Sequence, residues 1–309
     1  MIELFARSKG MREAVSLAER VSSTDSNVLI TGESGAGKDA LAAFIHAQSS
    51  RAHQPFVKID CATLPGELLE AELFGFERGA FTGASEAKPG RLEAANNGTV
   101  VLDEIAHLTI DAQAKLLRVI EERVFERLGG RRTIKLNARL IALTNVDLDK
   151  AVERRGFRSD LYYRLNVIHI HVPALRERAD DLLQLIEHFI AHYSAKHGRD
   201  VTGISGAALA TLRAYDFPGN ARELANVVER AVIVAGGKRL DIEHLPPSLK
   251  AAVKAYQNRE KPLSLAQLEQ AYIADILKAT GGNKSECARI LGISRKNLYE
   301  KIARYKLDG

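Results

Sequence analysis

Between an apolar run, Val28 to Thr31, and a helical pattern that begins near Ala40, the chain carries Gly32-Glu33-Ser34-Gly35-Ala36-Gly37-Lys38-Asp39. Glycines at this spacing let consecutive backbone N–H groups turn inward around a phosphate. The helix that follows adds the positive end of its dipole, and a lysine at the position of Lys38 reaches the β- and γ-oxygens. That chemistry needs strand, loop and helix in this order, which is the order found here. Gly32, Glu33, Ser34, Gly35, Ala36, Gly37, Lys38, Asp39 and Ala40 are therefore the candidate nucleotide-binding residues. Asp39 stands where a Ser or Thr hydroxyl ordinarily ligates magnesium, so its carboxylate is expected to assist the metal or the network around it.

Four further β-rich runs, Phe56 to Ile59, Thr99 to Leu102, Arg139 to Thr144 and Val167 to Val172, alternate with helical patterns. The alternation predicts an α/β fold with a parallel sheet covered on both faces. Thr99-Val100-Val101-Leu102-Asp103-Glu104 reads as a buried strand ending in two acids, and the carboxyl edge of a parallel sheet faces the phosphate crevice. Asp103 can hold magnesium there, while Glu104 can orient and polarise an attacking water. The next strand ends in Thr144-Asn145, where Asn145 is a candidate γ-phosphate sensor, with a turn-forming role as its rival. Past Arg178 the strand signal gives way to helical segments, Asp181 to Tyr193, Gly206 to Tyr215 and Ala221 to Ala235. The expected organisation is an α/β nucleotide-binding unit over 1–177, a helical subdomain over 178–245, a linker over 246–263 and a terminal all-α unit over 264–309.

The terminal unit concentrates the charge. From Asn283 to Lys306 seven basic residues face two acids, an excess as large as the +5 of all 309 residues. Gly281-Gly282 ends one helix, Leu265 to Lys278. Asn283, with Glu286 three residues on, opens a second as a capping-box-like start, and Gly292 closes it. Ser294 caps a third helix from Arg295 to about Tyr305. Ala288, Leu291, Ile293, Leu298 and Ile302 supply a small core and leave the basic residues outward. This is helix-turn-helix geometry, with Arg295, Lys296, Asn297 and Lys301 as candidate contacts to double-stranded DNA.

Composition excludes several other classes. At 46% hydrophobic residues the chain has ample material for buried cores, yet it has no run of about 18 apolar residues to span a bilayer. Met1 to Phe5 lacks the layout of a secretory signal, so the cytoplasm is the expected location, with association to the nucleoid when DNA is bound. Cys61 and Cys287 are far apart and have no metal-ligand neighbours, which predicts two small core residues.

Longer motifs carry a family likeness. They are Glu70-Ala71-Glu72-Leu73-Phe74-Gly75 before Gly79-Ala80-Phe81-Thr82-Gly83-Ala84, Phe157 to Leu165, Pro173 to Arg178, and Phe217-Pro218-Gly219-Asn220-Ala221-Arg222-Glu223-Leu224. Over nearly its whole length the chain resembles the AAA+ activators of sigma-54 RNA polymerase, of the short kind without an N-terminal regulatory domain, and its last unit resembles a Fis-type module. The resemblance implies an AAA+ P-loop ATPase with a helical lid and a helix-turn-helix, using ATP and Mg2+. It implies that Gly79 to Ala84 grip the sigma factor through Phe81 and Thr82, and that a second loop near Arg127 to Arg132 moves with them. Arg158 and Arg164 match subunit-interface arginines that reach a neighbour's γ-phosphate, and Arg222 matches the lid arginine that contacts nucleotide.

Two positions depart from the pattern: Asp39 replaces the usual Glu, and Asp60 stands where an Asn commonly restrains the catalytic glutamate. A second carboxylate near Glu104 would repel it unless a cation sits between them. The implied partners are the sigma-54 holoenzyme, an inverted-repeat DNA site and further copies of the chain. A hexameric ring is expected, with a dimer as resting form and room for a regulatory protein acting in trans. A AAA+ remodeller or unfoldase that does not act on sigma-54, and a DNA-binding regulator merely switched by ATP, stay open as alternatives.

Overall fold

The computed structural model describes residues 4–251, 265–305 and 307. Two compact units divide the chain, Met1–Pro246 and Pro247–Gly309.

In the first unit, five strands form one parallel sheet: β1 (Val28–Thr31), β2 (Phe56–Asp60), β3 (Thr99–Asp103), β4 (Arg139–Thr144) and β5 (Ile168–His171), in the order β2-β3-β4-β1-β5. Register pairs Leu102 with Ala142, Ile30 with Leu143 and Asp60 with Asp103. Alternation along the central strands divides the core between two faces. Leu140 and Ala142 join one apolar cluster with Leu69, Leu73, Leu116 and Val119, from α3 (Gly66–Phe74) and α4 (Ile110–Glu122). Ile141 and Leu143 join the other, with Met11, Ala14, Ala18, Leu41 and Ile45 from α1 (Lys9–Ser22) and α2 (Lys38–Ala47). Met11, Ala14, Ala18 and Val21 recur at helical spacing, so α1 buries one stripe; the Ser8 hydroxyl caps it by accepting from Met11 N.

A fully buried arginine ends α1. Arg139, at the start of β4, is 1% exposed and donates to Ser22 O at 3.1 Å, the carbonyl of the last residue of α1, and to Val21 O at 2.9 Å, which also accepts from Thr24. A cation at a helix C-terminus also opposes its dipole.

Three helices follow the sheet: α6 (Ala179–His197), α7 (Gly206–Arg213) and α8 (Asn220–Val234), preceded by α5 (Ser159–Leu165) before β5. Compared with expectation, α6 runs four residues further, to His197, because Gly198 in the left-handed conformation supplies the stop. α7 ends two residues early, at Arg213. The helical subdomain does not separate from the sheet as a compact unit of its own. The buried Asp181 of α6 accepts from Ser8 N and Ser8 Oγ, both at 2.8 Å, tying the lid to the entry of α1.

The second unit has α9 (Leu265–Ala279), α10 (Lys284–Leu291) and α11 (Arg295–Tyr305) around Ile273, Leu277, Cys287, Ala288 and Leu298. Most of the expected linker lies outside the described residues; 247–251 within it are helical. Among the described residues, no helix is long and apolar enough to cross a membrane. Replacing Arg139 by Ala should cost about 3 kcal/mol, because the Ser22 carbonyl loses its donor, Val21 O loses one of its donors, and a void opens at the end of α1. Urea denaturation of the first unit measures it, and a loss below about 1 kcal/mol would contradict the assignment.

Candidate functional site

Parallel pairing of β1 with β4, and of β4 with β3, brings three strand ends together: the glycine loop after β1, Asn145 after β4 and Asp103-Glu104 at the end of β3. Gly32 N donates to Thr144 O at 3.3 Å, holding the loop's first residue to the neighbouring strand. Gly35 has φ +74° and faces the lid so closely that a Cβ would stand 2.4 Å from Gly219 O. Glycine is therefore required there for both conformation and space.

Within the loop the buried Lys38 folds back, donating to Gly32 O at 2.9 Å and Glu33 O at 3.3 Å. Its ammonium lies 3.7 Å from Glu104 Oε1. Glu104 is held in the left-handed region, φ 52°, ψ 49°, and its other oxygen accepts from Asn145 N at 3.2 Å. A non-glycine residue in that conformation stores strain, as residues at functional sites often do. Lys38, Glu104 and Asn145 thus converge as the sequence suggested. Asn145 contributes its backbone to Glu104, and its exposed side chain lines a cavity of about 440 Å³ with Thr31, Gly32, Glu33 and Tyr162.

A further cation, missed in the sequence, stands beside this group. Lys58 of β2 places its ammonium 2.5 Å from Asp39 Oδ1 and 2.7 Å from Asp103 Oδ2. Burial works against the charged lysine, but the hydrogen bonds to Asp103 and Asp39 outweigh it and hold its pKa above the ordinary value. The signal was a lone lysine within an otherwise apolar strand, Phe56-Val57-Lys58-Ile59. Asp39 Oδ1 is buried without a well-directed hydrogen bond. Two carboxylates converging on one cation, one of them lacking a directional donor, form an all-oxygen set suited to a hard divalent ion.

Asp60 does not press against Glu104 as a hydrogen-bond partner. Its Oδ1 accepts from Ala62 N at 2.9 Å, closing a local turn. Its charge still reaches the neighbourhood: Cys61, between these groups, has its thiol pushed up to about 12, first by burial and then by Asp60, Asp103 and Glu104. A thiol so shifted is inert at neutral pH.

The lid closes the other side. Glu33 receives both Arg176 nitrogens, at 2.8 and 2.5 Å, and Asn220 Nδ2 at 3.0 Å. Asn220 also donates to Ser34 O, and its carbonyl oxygen accepts from Leu175 N. Arg222 donates to Ser34 Oγ at 3.1 Å, so the lid arginine touches the loop. The hydrogen bonds from Arg176, then from Asn220, bring the Glu33 pKa down to about 2.

Arg158 and Arg164 are engaged on their own surface. Arg158 forks onto Asp160 at 3.1 and 2.7 Å, and Arg164 reaches Glu121 at 2.8 Å. The fully buried Gln113 of α4 accepts from Arg158 N at 2.8 Å and donates to Leu108 O and Gly156 O, anchoring the start of α5.

Gly79 to Ala84 lie between Gly75–Phe76 and Lys88–Pro89, which pair as a two-stranded antiparallel ribbon. Gly79 N donates to Ala84 O at 2.9 Å, closing the loop at its base, while Thr82 is exposed. Phe81 is 40% exposed and rests edge-on against Phe76, with ring centroids 4.9 Å apart. Loop 127–132 lies against this loop: Glu77 N donates to Leu128 O, and Gly129 abuts Ala80.

In the second unit, Arg295, Lys296 and Asn297 are exposed at the start of α11, whose Ser294 Oγ accepts from Asn297 N. Lys301 has a partner on another helix. Its ammonium is 2.6 Å from Glu269 of α9, so in this structure it also ties α11 to α9. The capping box at Asn283 is half formed, since Asn283 caps Ser285 N and Glu286 N while Glu286 turns forward to Arg289.

Residues 4–171 match the family model described as Sigma-54 interaction domain, 176–262 the AAA+ ATPase lid domain, and 264–305 the Bacterial regulatory protein, Fis family. The chain is 42% identical to the Regulatory protein AtoC of Escherichia coli (strain K12), over 99% of this chain and 68% of that protein. It is 44% identical to the Nitrogen fixation protein VnfA of Azotobacter vinelandii, over 99% of this chain and 59% of that protein. Among solved structures, that of NtrX from Brucella abortus in complex with ATP is similar, with a TM-score of 0.75 at 36% identity, covering 98% of this chain and 69% of that one.

Glu33 is ionised at neutral pH, so its bridge to Arg176 is complete above about 4.5, the ordinary carboxyl value, and is lost as pH falls toward about 2. Arg176→Ala should loosen the lid at pH 7, speeding amide exchange across Asn220–Val234 several-fold. Hydrogen–deuterium exchange read by mass spectrometry checks it, and unchanged protection would mean the bridge does not hold the lid.

Proposed function

The chain belongs to the sigma-54 interaction family of AAA+ ATPases, and on that premise we propose that it couples ATP hydrolysis to the opening of promoters held by sigma-54 RNA polymerase. The observation that carries this reading is the Gly79–Ala84 loop, closed at its base and exposed at Thr82, on a ribbon separate from the catalytic groups. Such a loop is suited to touching a partner protein while chemistry proceeds elsewhere.

In the proposed mechanism the glycine loop and Lys38 hold the phosphates. Glu104, restrained by Asn145 N and the nearby Lys38, orients the water that attacks the γ-phosphorus as the bond to the ADP oxygen breaks. Asp39 and Asp103 would hold Mg2+, which neutralises phosphate oxygens when bound. Asp60, which stands where an Asn commonly restrains the glutamate, is instead turned onto Ala62 N. Arg222 and the Glu33–Arg176–Asn220 bridge report the loop's state to the lid. Arg158 and Arg164, each on an exposed ion pair, are supplied to the next subunit of a ring, where they stabilise charge that develops during transfer. Arg295, Lys296 and Asn297 read an inverted-repeat DNA site through a paired second unit.

ATP-dependent opening of a sigma-54 promoter, measured beside a sigma-70 promoter, tests the reading; opening of the sigma-70 promoter alone would favour a regulator merely switched by ATP. Thr82→Ala should abolish opening while most ATPase activity remains, and surviving opening would remove the loop from the mechanism. Specific ATPase activity should climb with protein concentration, and Arg158→Ala should lower kcat by about 10³ without loosening nucleotide binding. A flat concentration profile would contradict trans-acting arginines.

A further inference from the structure

We propose that Lys58 is a built-in counter-cation that occupies the metal position between Asp39 and Asp103 when no metal is bound and competes with Mg2+ for it. The inference rests on the reading of those two carboxylates as the metal-holding pair.

Three elements meet at this point. Asp39 lies in the first turn of α2, Asp103 ends β3, and Lys58 projects from β2, whose register places it beside Val101. The ammonium is 2.5 Å from one carboxylate and 2.7 Å from the other, while Asp39 Oδ1 is buried and finds no well-directed donor. Asp103 Oδ1 is taken by Glu104 N at 3.0 Å, so Asp103 Oδ2 and Asp39 Oδ1 are the oxygens that the ammonium covers and that a hard cation would need.

Mg2+ sits about 2.1 Å from its oxygen ligands, so it and an ammonium already within contact of both carboxylates cannot share the space. Lys58 has a flexible four-carbon stem and a side chain 38% exposed, which lets the head group withdraw toward solvent as the metal enters. Two carboxylates facing each other without a cation would repel. Lys58 therefore keeps the empty pocket assembled, and by the same contact raises the Mg2+ concentration needed to fill it.

Mg2+ is titrated into the 309-residue chain with the fluorescent nucleotide mant-ADP, and thermal melting is followed with mant-ADP in Mg2+ and in EDTA. In Lys58→Met the half-saturating Mg2+ concentration should fall about tenfold, since one competing charge at contact distance is removed. The variant should melt earlier than the natural protein in EDTA and recover in Mg2+. Lys58→Arg, which keeps the charge, should stay nearer the natural protein in both measurements. Half-saturation within twofold of the natural value in Lys58→Met, or equal destabilisation with and without Mg2+, would overturn the proposal and leave Lys58 a structural residue. Asp103→Asn separates the two readings: if it leaves the Mg2+ titration unmoved, the metal assignment itself has failed, whereas a shift there without one in Lys58→Met counts against Lys58 alone.

Discussion

Parallel pairing of β1 with β4 and of β4 with β3 is the constraint on which the nucleotide site rests. All five strands of the sheet run in one direction, so their carboxyl ends gather on a single edge, and the register decides which residues meet there. The glycine loop, Asn145 and Glu104 come from positions some 40 to 110 residues apart, yet they are neighbours because their strands are. A slip of one residue would turn Leu140 and Ala142 away from their own layer and carry Asp103 off the edge. The two apolar clusters that flank the sheet therefore hold the site in place as well as the fold.

Gathering so many acids on one edge creates an electrostatic problem, and the fold answers it with cations and hydrogen-bond donors. Asp39 and Asp103 share Lys58, Glu104 lies near Lys38, and Glu33 is covered by Arg176 and Asn220 of the lid region. Asp60 turns onto its own backbone. Apart from that of Asp60, each pairing joins two different elements, so charge neutralisation and tertiary assembly are one event. Lid and sheet accordingly form one compact unit although their secondary structure differs.

Much of this was legible in the residues. Apolar β-rich runs placed the five strands to within a residue at each end, the three central ones because they are buried on both faces and so are largely apolar. Asn283 and Ser294 each cap the helix they precede, as side-chain oxygens at that position do. The ion pair of Lys301 was not legible, since a basic residue on a helix reads as free until a partner such as Glu269 comes from another helix. Lys58 went unnoticed for the converse reason: inside an apolar strand it carries no periodic signal, and its two partners lie on other elements.

What the amino-acid order determined by itself is local: a loop built to wrap a phosphate, the strands and helices, the acids at a strand's end and the basic helix of the last unit. Those features arise from contacts within a few residues or from a repeating period. Only the tertiary structure decided that Glu104 sits in a left-handed turn between Lys38 and Asn145, that Gly35 lies against Gly219, and that a lysine from β2 stands between two aspartates. Those relations depend on sheet register and lid packing, which sum weak preferences over the whole chain and leave no mark at any one position.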